Sequence, residues 1–123
     1  MVYLANAGND SPMDVKIVAQ ELGLPQGYLA KIFQRLARPH LVFSRRGPQG
    51  GYVLAREREK ISLLDIIEAI DGPVVIGQCE LGPSEHCHLF EDCLIRKRLD
   101  FVKEQTRDLY QNITLNMFDH QFV

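Results

Sequence analysis

Apolar residues recur along this chain at spacings that predict four helices and one hairpin. Val15, Val18, Ala19 and Leu22 stand at i, i+3, i+4 and i+7, the pattern of a helix with one buried face, and Gly23 offers its C-terminal stop. Leu29, Ile32, Phe33 and Leu36 repeat the pattern directly afterwards, with Pro25 suited to the first turn. Two short helices joined by a tight glycine-containing turn are a helix-turn-helix candidate. The outward face of the second carries Gln26, Tyr28, Lys31, Gln34, Arg35 and Arg38. Before this pair, residues 1–8 (MVYLANAG) read as the end of a helix, apolar but uncapped, running into the turn-forming residues 8–12.

Pro39 ends the second helix, and residues 41–44 read as a strand. Residues 45–51 (RRGPQGG) supply turn chemistry, and 52–54 form the return strand. A hairpin in that position is a wing. Its arginines and glycines allow side chain and backbone to approach DNA closely, which makes Arg45, Arg46 and Gln49 candidate contacts beside Gln26, Tyr28 and Lys31. Ser62 with Asp65 resembles a capping box with Asp in place of Glu, and it opens a helix whose stripe Leu63, Ile66, Ile67 and Ile70 is expected to be core. Gly72-Pro73 stops it. A long helix from about Leu94 to Asn112 carries Ile95, Leu99, Val102, Thr106, Leu109 and Ile113 at alternating spacings of four and three. Such a seam suits packing against another helix, and a small winged domain has little surface to cover it, so a homodimer is expected. The fold class is therefore mainly α with a small β-hairpin wing: a winged helix-turn-helix over residues 1–76, an irregular segment 77–93, and a dimerisation helix and tail over 94–123.

Charge sharpens this reading. The net charge of the chain is only −2, yet residues 25–60 carry eight Lys or Arg against two acids. That segment is +6 and the remainder −8, the asymmetry a phosphate-facing surface needs. No apolar run approaches the roughly 20 residues that span a bilayer, and no signal sequence opens the chain, so the expected location is the cytoplasm and no membrane partner is expected. No nucleophile–base pair, phosphate loop or cofactor fingerprint is visible, which argues against an enzyme.

All three cysteines, Cys79, Cys87 and Cys93, lie in segment 77–93. An odd count in a reducing compartment argues for metal or redox chemistry rather than disulfides. A flexible loop of this length supplies three thiolates to one iron–sulfur cluster. Zinc held by three cysteines and one histidine is the alternative, although no Cys-x-x-Cys pair is present. Three unconnected thiols, one or two of them buried, are the plainest reading.

Taken together, Leu24-Pro25, Tyr28-Leu29, Arg46-Gly47-Pro48, residues 50–54 (GGYVL), 61–67 (ISLLDII), 69–73 (AIDGP) and the three cysteines before a long helix make the chain resemble the Rrf-two (Rrf2) family of bacterial regulators. The resemblance extends from Met1 to about Phe118. It implies a homodimer crossing its long helices, with recognition helices (residues 25–38) in successive major grooves of an operator and wings (45–52) in the flanking minor grooves. It also implies that Cys79, Cys87 and Cys93 are cluster ligands, as in the sensing members, in a repressor answering redox, nitric oxide or iron–sulfur status. Two features depart from the family pattern. Members carry a fuller first helix before the equivalent of Tyr3-Leu4-Ala5, so either the true start lies upstream or the helix is shortened and the core weakened, with a non-DNA-binding remnant as the extreme case. The histidine that cluster-binding members place three residues after the last cysteine is Arg96 here. The fourth ligand is thus unassigned, with Glu85, His86, His88, Glu91 and Asp92 as local candidates, and two-iron and four-iron clusters stay open.

Overall fold

The computed structural model describes residues 1–8, 11–77, 79, 82 and 87–118. A short helix α1 (Val2–Ala7) ends at Gly8. Helix α2 (Val15–Leu22) is opened by Asp14, whose carboxylate accepts the Lys16 backbone N–H at 2.7 Å. It closes at Gly23, where φ is 64° and the Gly23 and Leu24 N–H groups turn back onto the Gln20 and Ala19 carbonyls. Helix α3 (Gln26–Ala37) starts three residues later, with Pro25 as its N-cap and Arg38 as its C-cap.

Strands β1 (Val42–Arg45) and β2 (Gly51–Leu54) pair antiparallel, Val42 opposite Leu54 and Arg45 opposite Gly51. The ladder lies one residue nearer the tip than the sequence suggests. Leu41 is taken instead by the end of α3, its N–H bonded to the Leu36 carbonyl and its side chain wholly buried. Met13 and Tyr52 exchange backbone hydrogen bonds of 2.9 Å each way, so the segment before α2 flanks the hairpin. Gly51 permits that approach, because a Cβ there would stand 2.5 Å from the Met13 carbonyl.

A single 3-10 turn (Arg58–Lys60) leads to helix α4 (Leu63–Asp71). Its capping box is complete: the Asp65 N–H donates to Ser62 Oγ, and the Ser62 N–H donates to the Asp65 carboxylate, both at 3.0 Å. The expected core stripe of α4 needs correction. Leu64 is the residue buried, while Leu63, Ile66, Ile67 and Ile70 are half-buried. Leu63, Ile66 and Ile70 line an open apolar groove of ≈ 490 Å³, with Tyr3, Ile32 and Phe118 among its other walls. Leu22, also expected inside, lines this groove and is half exposed. The core proper is built from Val18, Leu29, Phe33, Leu36, Leu41, Leu54, Ile61 and Leu115, each large aliphatic side chain contributing about 1.5–3 kcal/mol on full burial.

Helix α5 (Leu94–Asn112) has the expected bounds but buries no residue. Its C-terminal end is fixed by backbone bonds, Leu63 N–H to the Ile113 carbonyl at 2.7 Å and Leu115 N–H to the Ile61 carbonyl at 2.9 Å. The heptad seam divides into two columns. Leu99, Thr106 and Ile113 are half-buried, whereas Ile95, Val102 and Leu109 stay exposed.

Candidate nucleic-acid interface and cysteine segment

The six residues singled out for DNA contact all lie on the surface. Gln26, Tyr28 and Lys31 occupy the first turns of α3, Arg45 ends β1, and Arg46 and Gln49 stand in the hairpin turn. Tyr28 is 56% exposed, a large amphipathic ring with no core role. The start of a helix presents unpaired N–H groups and the positive end of its dipole, both suited to a phosphate. Phe33 of α3 stacks on Tyr52 of β2 with ring centroids 4.6 Å apart, so α3 and the hairpin are packed on one another.

Gly50 gives the hairpin tip its shape. A Cβ there would fall 2.3 Å from the Arg45 carbonyl oxygen, and its N–H closes the turn onto the Gly47 carbonyl at 2.9 Å. Sequence reasoning missed Phe43, whose exposed ring lies 5.9 Å from the Arg45 guanidinium carbon. The two positions alternate on one strand and therefore share a face, which was the available signal. Arg35, on the outward face of α3 by its sequence position, is engaged within the protein. Its Nη1 donates to the Ile70 carbonyl at the end of α4, 3.1 Å away. Arg56 likewise turns inward, donating to the Pro39 carbonyl at 2.8 Å. Glu57 and Lys60 form an ion pair at 2.8 Å behind the wing. Hydrogen bonding and charge hold the Glu57 carboxyl below its ordinary value and the Lys60 ammonium above it. Both groups are fully exposed, so screening leaves the pair little structural weight.

The three cysteines are free thiols, Cys79 and Cys93 half-buried and Cys87 exposed. Cys93 is the N-cap of α5, its Sγ accepting the Arg96 N–H at 3.5 Å. Cys79 lies by the same helix: a Cβ on Gly77 would meet Leu99 Cδ1 at 3.5 Å and Cys79 Sγ at 3.7 Å. The Arg96 guanidinium covers the Phe90 ring at 4.3 Å. Among the described residues no three His, Cys, Asp or Glu side chains are gathered closely enough to hold a metal ion. Of the candidate fourth ligands, His88, Glu91 and Asp92 are exposed, and Glu85 and His86 lie outside the described residues.

A helix-turn-helix running directly into an arginine-bearing hairpin defines a winged-helix DNA-binding transcription regulator. The Rrf2 family profile, described as an iron-dependent transcriptional regulator, matches residues 1–120, and the chain belongs to that family. It is 32% identical over 117 residues to an HTH-type transcriptional regulator of Aquifex aeolicus, covering 94% of this chain and 80% of that one. The structure of CymR (YrzC), the global cysteine regulator of B. subtilis, superposes with a TM-score of 0.71 at 27% identity, covering 94% of this chain and 83% of CymR. T. potens IscR gives the same TM-score at 29% identity, over 94% of this chain and 74% of IscR. These relatives are regulators, and this chain is a regulator rather than an enzyme. No helix among the described residues is long and apolar enough to cross a membrane.

Proposed function

We propose that this regulator acts in the cytoplasm as a homodimer that grips an operator through α3 and the wing, under the control of an iron–sulfur cluster held by Cys79, Cys87 and Cys93. The observation that carries the DNA surface is the exposure of Gln26, Tyr28, Lys31, Arg45, Arg46 and Gln49 on two elements that pack together through Phe33 and Tyr52. The start of α3 reads base edges from the major groove, and Arg46 enters the neighbouring minor groove, where arginine is favoured. In this reading residues 1–76 bind DNA, 77–93 sense, and 94–123 dimerise.

The donor chemistry of the cysteine segment fits a cluster. Three free thiols are soft ligands, two of them lie against α5, and the start of that helix favours the negative charge of a thiolate. Zinc is the alternative occupant of the same thiols. A bound cluster would tie segment 77–93 to α5. Its loss through nitric oxide, oxygen or iron shortage would free the segment and shift the spacing of the two recognition helices, which repression requires to be about one DNA turn, roughly 34 Å.

The DNA surface is tested by titrating the protein against a duplex recovered from a random pool, at fixed salt. Arg46→Ala is expected to weaken binding by about 1–3 kcal/mol and to make the salt dependence shallower by about one unit. Unchanged affinity and slope would remove the wing from the interface.

A further inference from the structure

Among the described residues, contacts at two places help to hold the long helix α5 to its own domain. Its C-terminal end is locked by the backbone bonds at Ile113 and Leu115, which make up the bridge between Ser62 and Thr114. Further up, Arg107 of α5 forms an ion pair with Glu68 of α4, both side chains half-buried. Because the column Leu99, Thr106 and Ile113 is only half-buried and α5 buries no residue, this polar contact is one of those that set where the helix points.

The spacing makes α5 a lever. Arg107 lies six residues from the fixed point at Ile113, about 9 Å along the axis, while Cys93 lies about 30 Å away. A displacement at the cysteine end therefore reaches Arg107 at about one third of its size, still enough to strain or relax a half-buried ion pair.

Glu68 is two residues from Ile70, in the last part of α4. The Ile70 carbonyl is the group that Arg35 of the recognition helix holds at 3.1 Å. Thus α4, which packs on both α3 and α5, carries on one short stretch a polar contact to α5 and a polar contact to α3. The opposite end of α4 is also anchored to the exit from α3: Arg56 donates to the Pro39 carbonyl and stands 4.0 Å from Asp65 of the capping box.

We propose that Arg107, Glu68 and Arg35 are positioning residues that carry the tilt of α5 into the recognition helix. This relay rests on the DNA-binding reading above and adds to it the route by which a change at the cysteines reaches the operator. None of the three needs to touch DNA.

The test uses the full chain, an operator duplex selected by the wild-type protein and an unrelated duplex of the same length. Glu68→Gln and Arg107→Gln are each expected to weaken operator binding about three- to tenfold while leaving binding to the unrelated duplex unchanged. The exchanged pair, Glu68→Arg with Arg107→Glu, is expected to recover operator binding, which separates a specific contact from general loss of structure. Arg35→Met combined with Arg107→Gln should weaken binding no more than either change alone, because both break one relay. Wild-type operator affinity in both single variants, equal weakening on the two duplexes, or strictly additive effects with Arg35→Met would each overturn the relay. Failure of the wild-type protein to select any duplex would instead overturn the DNA-binding reading, and the relay with it.

Discussion

His40 shows how much one residue's conformation contributes to the placement of the wing. It sits at φ 58°, where the His40 and Leu41 N–H groups bond back to the Ala37 and Leu36 carbonyls and turn the chain from α3 into β1. Gly23 ends α2 with the same pair of bonds and no Cβ to accommodate. Left-handed backbone costs a residue with a Cβ about 1–2 kcal/mol. His40→Gly is therefore expected to stabilise the fold by up to about 1 kcal/mol, and Gly23→Ala to destabilise it by a similar amount, both read from urea unfolding midpoints. Opposite signs at these two turns are the outcome to look for; a loss of stability in His40→Gly would show that the imidazole makes a contact that outweighs its backbone strain.

At the scale of elements, α5 presents the sharpest contrast between its sequence and its surroundings. The column Leu99, Thr106 and Ile113 is half covered by its own domain, whereas Ile95, Val102 and Leu109 are exposed together with Leu94 and Phe101. A second copy crossing here would remove that surface from water, each large side chain contributing about 1.5–3 kcal/mol when fully covered. Val102→Glu with Leu109→Glu is accordingly expected to yield a helical monomer in sedimentation equilibrium; a persisting dimer would move the interface elsewhere. The bounds of α5 were readable because the heptad spacing is a local signal, as were Gly23, Pro39 and the Ser62–Asp65 box at other element ends. Burial around α4 was not readable. The helix lies between α3 and α5 and borders an open groove, so burial falls on Leu64 and thins out over Ile66, Ile67 and Ile70. Nor does spacing reveal that Arg35 turns to Ile70 and Arg107 to Glu68, since each pair joins residues more than thirty positions apart. The exposure of the candidate DNA-contact residues was legible, because exposure on the far side of an apolar stripe follows from helical periodicity. The cysteines were legible as candidate ligands gathered in one segment, but their arrangement was not, because an irregular segment has no period from which to infer convergence.

For the whole molecule, the −2 net charge conceals a division of labour between a basic segment 25–60 and an acidic remainder. The basic part is the proposed phosphate-facing surface, and the remainder carries the thiols and the long helix, with α4 between them. Cysteine substitution separates the two functions: Cys87→Ala is expected to abolish iron and sulfide incorporation while leaving the melting temperature of the metal-free protein unchanged, since Cys87 is exposed. Full iron content in that variant would exclude Cys87 as a ligand. The joining of sensing to DNA recognition is the central claim, and the most direct measurement is one operator titration carried out at fixed salt on protein purified without oxygen, before and after its iron is stripped with a chelator. The two curves are expected to separate by at least about tenfold; superimposed curves from protein shown to have lost its metal would contradict the claim.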